Sequence, residues 1–480
     1  MITNWTGTDL AKITKGNWHR SVPKAPCMTL AIDHRTLEQD GLFIALPGTK
    51  HDGHAFLDDL LPSHCALVKT PSPDSAAHQL CVADPLMALH DIARAAMADT
   101  KARKIAITGS VGKTSTKEAL TSVLSCYGAT HASSGNYNNH IGAPLSMART
   151  PDEAEMILME MGMNHAGEIA PLSHLYQADI AIITKIADSH RGHFNSTEDI
   201  AHAKAEIFAG MNNGMTGSMN NGTAILPFDD THFALLASAA EAEGLTIISF
   251  GAKTGADIQL TSQTPCDGGQ RLVIHNNLTD QDASFTLGLA APHHSTTALI
   301  ALASLHVLGL DWRPAEQALA NLQEVEGRGN QLAIALDGRP ALLINDSYNA
   351  GPASMAASLS YVATLPHDKK GLVLTDMLEL GTISDAAHEA LIPLIEAIAP
   401  HRLVLVGEAM GKIQNALAHR THLTHYPHAS QCQAHLTGAL SACDLILVKG
   451  SNGSGAPALA KALISAANNN TSPRGAAHVS

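Results

Sequence analysis

Cysteine is sparse and unpaired in this chain. The seven residues Cys27, Cys65, Cys81, Cys126, Cys266, Cys432 and Cys443 stand apart, with no Cys-x-x-Cys pair. An odd, scattered set favours neither a disulfide framework nor a thiolate zinc site. Charge is scarce as well: charged residues make up 15%, and 30 Lys+Arg face 44 Asp+Glu, a net −14. That balance argues against broad binding to nucleic acid or to an anionic membrane, since both want a basic face. No apolar run approaches the roughly 18 residues of a membrane span. Met1-Ile-Thr-Asn-Trp-Thr6 lacks the charged-then-apolar profile of a secretory signal. The expectation is a cytoplasmic protein that binds no nucleic acid and makes no stable membrane association. Any phosphate chemistry must rest on local devices, because the overall field is repulsive.

The composition that remains is globular: 45% hydrophobic, with a mean hydropathy of +0.03. A chain of 480 residues is long enough for roughly two to four domains. Histidine is over-supplied at 28 residues, but these are scattered rather than in tracts, which favours solvated surface groups over metal binding. Runs such as Met28–Ile32 and Gly41–Leu46 read as strands in the first hundred residues. A basic hinge, Asp99–Lys104, follows. Strands at Lys104–Thr108, Met156–Met159 and Ile180–Thr184 then alternate with helical stretches, the first from Lys113 to about Cys126. Such alternation implies a parallel sheet with helices on both faces. The β-type runs Leu245–Phe250, Ile258–Thr261, Arg271–His275 and Ser284–Leu287 suggest an antiparallel addition. An Ala/Leu-rich helix spans Thr296–Leu308 and ends at Gly309. After Gly327-Arg-Gly329 a second doubly wound unit begins, with strands at Ala341–Ile344, Leu372–Leu374, Leu403–Val406 and Leu445–Val448. The tail from about Asn468 is polar and expected to fray.

The sharpest local signal is Ile105-Ala-Ile-Thr-Gly-Ser-Val-Gly-Lys-Thr114: a strand, a short glycine loop and a helix start. Amides of such a loop cradle anions, a lysine reaches the terminal phosphates, and the threonine hydroxyl suits Mg²⁺. Gly109, Ser110, Gly112, Lys113, Thr114 and Ser115 are therefore nucleotide-binding candidates. The spacing is G-x-x-G-K-T, shorter than the usual phosphate loop.

That shorter loop resembles the one in the Mur ligases, which build the stem peptide of the bacterial wall. Further segments agree in order: Ser134–Leu145, Met159–Ile169, Ser189-His190 and Ala203–Ile207. The most diagnostic is Ile344-Asn-Asp-Ser-Tyr-Asn-Ala-Gly-Pro-Ala-Ser-Met355, which is similar to the run found in the family's branch that adds D-alanyl-D-alanine. Ile32–Thr36, Leu42–Leu46 and Asp52–Phe56 are similar to its nucleotide-sugar segments. The resemblance spans about the whole chain. It implies an α/β protein of three domains. Residues 1–100 would form a small α/β domain for the UDP substrate, and 101–325 a central P-loop ATPase domain with a parallel sheet and antiparallel additions. Residues 326–480 would form a Rossmann-like domain that binds nucleotide and the incoming dipeptide and closes on the central one.

The implied reaction is ATP-driven amide formation, joining D-alanyl-D-alanine to UDP-N-acetylmuramoyl-tripeptide through an acyl phosphate, by a monomer using two Mg²⁺ ions. Lys113, Glu160, His190 and Lys204 would be the catalytic set, with Thr114, Glu160, His190 and Lys204 on metal. A carboxylate such as Glu160 ending an apolar strand is unexpected unless it faces a cleft, and hard oxygen donors suit Mg²⁺. His193 competes with His190. Ser196 and Asp199 form a capping signal, which puts Lys204 on the inward stripe with Ile200 and Ile207. It is either a stem with a wet head or, as the resemblance implies, a lysine carrying a CO₂-derived carbamate.

His293, Arg328 and Asp346 match the family's nucleotide contacts. Asn138, Asn139, Asp33, Arg35 and Thr36 match contacts to the nucleotide-sugar, although as turn-forming polar residues they have an equally plain reading. Ser347, Tyr348 and Asn349 would lie near the peptide. The chain departs from the family pattern at His34, Lys185, Thr297, Asn345, Gly351, Thr375 and Asn452. A ligase adding another amino acid, of folylpolyglutamate or cyanophycin type, and an inactive nucleotide-binding scaffold are the competing readings.

Overall fold

The computed structural model describes every residue except 1–4, 25–26, 28, 49–50, 136, 189–190, 212–221, 420–421 and 472–480. Three sheets organise the chain. The first holds β1 (Asn17–His19), β2 (Thr29–Ala31), β3 (Gly41–Ile44), β4 (Cys65–Val68) and β5 (His78–Cys81), in the order β1-β5-β4-β3-β2. All of its pairings are parallel except β1 with β5.

The second sheet has nine strands: β6 (Arg103–Thr108), β7 (Thr130–Ala132), β8 (Met156–Glu160), β9 (Ile180–Ile183), β10 (Thr223–Pro227), β11 (Thr246–Gly251), β12 (Ile258–Cys266), β13 (Gly269–Asn276) and β14 (Gln281–Leu287). Their order is β14-β13-β12-β11-β10-β9-β6-β8-β7. The apolar runs behave as expected: β6, β8 and β9 are buried nearly throughout, because helices cover both faces of a parallel sheet. One expectation needs correcting. Leu245–Phe250 is not part of an antiparallel addition, since β11 pairs parallel with β10. β12 also joins parallel to β11, and only the pairings β12 with β13 and β13 with β14 are antiparallel. The strand β10 carried no clear mark in the sequence.

The third sheet comprises β15 (Asn330–Leu336), β16 (Arg339–Asp346), β17 (Lys370–Thr375), β18 (Arg402–Val406), β19 (Leu423–Tyr426) and β20 (Leu445–Lys449), ordered β15-β16-β20-β17-β18-β19. Only β15 with β16 is antiparallel. The closing helix runs from Ala456 to Thr471, so the chain stays helical past Asn468, and the rest of the tail lies outside the described residues.

Two features of this frame position the site. In the second sheet β6 lies between β8 and β9, so consecutive units leave it on opposite sides. A crevice opens at such a switch point, beyond the carboxyl ends of the strands. In the third sheet β20 lies between β16 and β17, giving a second crevice of the same kind.

The apolar clusters divide unevenly. One runs continuously from the first sheet, through the helix Pro85–Asp99, into one face of the second sheet. The clusters of the third sheet contain only residues of that unit. It meets the second sheet's loops through main chain: Gly192 N–H donates to the Glu379 carbonyl at 2.8 Å. A Cβ on Gly381 would lie 3.0 Å from the Gly192 Cα.

Among the described histidines, only His64, His294 and His388 are buried. No described helix is long and apolar enough to cross a membrane.

Candidate active site

The phosphate loop follows β6 and leads into the helix Lys113–Leu124. Gly109 has φ +151°, and a Cβ there would fall 1.9 Å from Thr184 Oγ1, so only glycine fits. Thr184 in turn donates its hydroxyl to the Val111 carbonyl at 2.6 Å, and Ser110 N–H donates to the Lys185 carbonyl at 2.8 Å. The loop is thus strapped to the end of β9. Gly112, at φ +83°, is the helix N-cap and leaves the first-turn amides open to an anion. Lys113 Nζ donates to the Gly109 carbonyl at 2.7 Å. Burial pulls the Lys113 pKa down, Glu160 offsets part of this, and Arg328 adds to it.

Glu160 ends β8 with 1% exposure. Its Oε2 accepts from the Thr114 hydroxyl at 2.9 Å, and its Oε1 accepts from Asn138 Nδ2 at 2.8 Å. A buried carboxylate and a hydroxyl side by side are the hard-oxygen donors that Mg²⁺ takes. No group of three or more His, Cys, Asp or Glu able to hold a metal occurs among the described residues. An ion at Thr114 and Glu160 would therefore fill its shell with substrate oxygens and water, the ordinary habit of Mg²⁺ in nucleotide sites.

These groups line a cavity of about 430 Å³ between the second and third sheets. Across it stand His293, Arg328, Asp346, Tyr348, Asn349 and Lys449. Lys449 ends β20 with a side chain 1% exposed, and its ammonium donates to Asp346 Oδ2 at 2.6 Å. Ser358 Oγ donates to the same oxygen at 2.5 Å. Asp346→Ala would leave the buried Lys449 ammonium with only the Asn349 carbonyl at 3.4 Å and no counter-charge, and is expected to lower unfolding free energy by about 3 kcal/mol. Chemical denaturation followed by circular dichroism measures this, and an unchanged midpoint would contradict it. The Arg328 guanidinium lies 4.0 Å over the Tyr348 ring, which fixes its direction. Desolvation lowers the His293 pKa, with Asp346 opposing and Lys449 and Lys185 adding. Its neighbour His294 is pushed down to about 3 by burial.

The structure does not gather every candidate here. Asp33, Arg35 and Thr36 form a turn of their own in the first sheet's unit: Arg35 is bidentate on the Asp33 carboxylate at 2.9 and 2.6 Å, which holds that acid down to about 2. Asn139 Oδ1 accepts from Ile141 N–H at 3.1 Å and Gly142 N–H at 2.8 Å, capping the helix Gly142–Ala148. Ser347 is buried against Asn345 Oδ1 at 2.6 Å. His190 lies outside the described residues, and the nearby His193 is exposed.

Lys204 sits near the end of the helix Thr197–Ala205, whose N-cap Ser196 forms the capping box with Asp199. It is 1% exposed, so the wet-headed alternative does not hold. Burial drives its pKa well below the ordinary lysine range, and Lys113, of like sign, drives it further.

Sequence reasoning missed two supports. One is Thr184, the strap on the loop. The other is Lys117, a fully buried lysine four residues after Lys113. Its spacing to Leu120 and Leu124 was the available signal.

The chain is similar to known proteins over most of its length. The Mur ligase middle domain model matches residues 107–305, and the Mur ligase, glutamate ligase domain model matches residues 327–452. The UDP-N-acetylmuramoyl-tripeptide–D-alanyl-D-alanine ligase of Rickettsia prowazekii is 31% identical over 431 residues, covering 89% of this chain and 93% of that protein. The Bacillus subtilis protein of the same name is 32% identical over 443 residues, covering 91% and 93%. The crystal structure of MurF from Acinetobacter baumannii has a TM-score of 0.82 at 29% identity, covering 96% of this chain and 99% of that one.

Proposed function

The chain belongs to the Mur ligase family, and on that premise we infer that it joins D-alanyl-D-alanine to UDP-N-acetylmuramoyl-tripeptide in peptidoglycan precursor synthesis. It is an ATP-dependent ligase. The observation that carries the substrate reading is the cavity that sets Lys113, Thr114 and Glu160 opposite Arg328, Asp346, Tyr348 and Asn349.

The chemistry follows from the charges. The tripeptide's terminal carboxylate attacks the γ-phosphorus of ATP, the bond to the β-phosphate oxygen breaks, and ADP leaves. The dipeptide amine then attacks the acyl carbon, inorganic phosphate departs, and the nitrogen loses a proton. Two anions must approach in the first step, so positive charge at the transferring phosphoryl group is the main requirement. Lys113 and the loop amides supply part of it. Mg²⁺, held by Thr114 and Glu160, supplies further charge neutralisation when bound. Arg328, set by its stacking on Tyr348, suits a phosphate oxygen. Asp346 uses Oδ2 for Lys449 and Ser358, which leaves Oδ1 for a ribose hydroxyl.

Lys204 extends the donor set. Burial that drives the pKa of this lysine down favours the neutral amine, the form that can attack CO₂. The N–C bond forms as one C–O π bond of CO₂ breaks, the nitrogen loses a proton, and the neutral amine becomes an oxygen-donor anion. With His190, it would hold a second Mg²⁺. The first hundred residues take the nucleotide-sugar, with Asp33, Arg35 and Thr36 at the uridine diphosphate and Asn138 nearer the reacting end. Residues 101–325 carry the ATP chemistry, and 326–480 close over it.

An assay of ADP release with each substrate omitted in turn tests the reading. Sustained release is expected only when ATP, Mg²⁺, UDP-N-acetylmuramoyl-tripeptide and D-alanyl-D-alanine are all present. No release with all four would refute it. Release with a different amine in place of the dipeptide would assign another ligase activity.

A further inference from the structure

Lys117, Lys204 and Lys449 are among the largest fully buried side chains. Lys449 holds Asp346, and Lys204 has the part given above. Lys117 has none in the reaction so far. It lies one helical turn beyond Lys113, with no side-chain exposure. Its ammonium donates to the Ser133 carbonyl and, at 3.1 Å, to the Gly135 carbonyl. The Glu118 carboxylate, 3.1 Å away, balances the charge from the surface side. A buried ammonium is costly, and an apolar side chain would fill the space at less cost, so the two carbonyls it binds point to its purpose.

Those carbonyls belong to the stretch from Ser133 to Asn138, which wraps the end of β8. Ser133 N–H donates to the Leu158 carbonyl at 3.0 Å, and Glu160 N–H donates to Ser133 Oγ at 3.3 Å. Asn138 donates its side-chain amide to Glu160 Oε1 at 2.8 Å and accepts from Gly162 N–H at 2.8 Å. The described residues of this stretch have little apolar anchorage of their own. Ser134, Gly135 and Tyr137 are exposed, and Gly135 sits at φ +52° with nothing near its would-be Cβ. One helix therefore grips Glu160 from two sides: Thr114 binds one oxygen directly, and Lys117 fixes the stretch whose Asn138 binds the other.

We propose that Lys117 is a positioning residue. It locks the 133–138 stretch to the phosphate-loop helix, and so sets both the Glu160 carboxylate for Mg²⁺ and Asn138 for the nucleotide-sugar. The proposal rests on the ligase reading above. Wild-type ligation is therefore measured first, and its absence would count against that reading alone.

The test compares wild type with Lys117→Met, which keeps the stem and removes the donor. Loss of an outer partner typically costs roughly 10–100-fold, so the Mg²⁺ concentration for half-maximal velocity and the KM for UDP-N-acetylmuramoyl-tripeptide should each rise about tenfold or more. The KM for D-alanyl-D-alanine should stay within about twofold, a split that general loss of fold would not produce. Because Lys117 acts through Asn138, adding Lys117→Met to Asn138→Ala should cost about threefold or less beyond Asn138→Ala alone. Unchanged Mg²⁺ and nucleotide-sugar constants would overturn the proposal, as would fully multiplicative effects in the double variant. If Lys117→Met does not fold, Gly135→Ala reads the same tether from the exposed loop. The same split at smaller size is expected there, and wild-type constants would overturn the proposal.

Discussion

Lys113→Met should lower kcat for ligation by about 10³-fold, with the KM for D-alanyl-D-alanine nearly unchanged. Lys113 is the charged side chain of the phosphate loop, and it sits where two anions must be brought together. Removing one positioned donor from a charge-developing site costs roughly 10²–10³ in rate, and here the donor carries a full charge. The fold should survive. Lys113 opens the helix, stays partly open to the cavity, and gives its ammonium only one described hydrogen bond, to the Gly109 carbonyl. Single-turnover formation of ADP checks the effect, with thermal melting as the control for structure. A loss smaller than about tenfold, with an unchanged melting point, would remove the loop from the phosphoryl step.

Lys204→Met should separate stability from activity. On the proposed carbamate, ligation is expected to fall by about 100-fold, because the anionic donor it would provide is lost. Stability in CO₂-free buffer should not fall, and should rise at neutral pH. The sign follows from linkage. The folded pKa of unmodified Lys204 lies well below its unfolded value near 10.4, because of burial and then Lys113. Below the folded pKa both states hold the proton, and the native state bears the whole cost of a buried cation. Between the two values the unfolded chain binds more protons, so stability rises with pH across that window. The methionine variant loses this slope. Urea melts from pH 7 to pH 10 in CO₂-free buffer check it, and intact mass with and without bicarbonate detects the carbamate. A variant that is both destabilised and fully active would dispose of the modified lysine.

Some of this molecule could be read directly from local pattern. The strands β6, β8, β9, β16, β17, β18 and β20 are compact apolar runs because both faces of a parallel sheet are covered. Ser196 and Asp199 mark their helix start by capping chemistry that acts over three residues. Other elements depend on distant partners. Leu245–Phe250 looks like any β run, and only its placement beside β10 makes it parallel. The edge strand β15 is only partly buried, so its residues carry no strong alternation. The site divides in the same way. Lys113, Thr114 and Glu160 were legible because a loop and a strand end suffice to place them. The opposing wall of His293, Arg328 and Asp346 came only from motif resemblance, since no local rule says which sheet edge faces which. Lys117 has the same inward spacing as Lys204 but matches no motif, so its part shows only where the chain folds the Ser133 and Gly135 carbonyls onto it.

The uneven division of the apolar clusters sets what opening the enzyme costs. The first two sheets share one continuous core, so pulling them apart would bare hydrocarbon to water. The third sheet keeps its cores to itself and touches the loop near Gly192 through main chain. Swinging it away splits none of the described apolar clusters, because none of them spans the joint. On the proposed closure of residues 326–480, substrate entry and product release would then proceed on a joint whose energy is small beside the stability of the bodies it connects. The tightness of the closed state is left to the charges of the ligands that fill it.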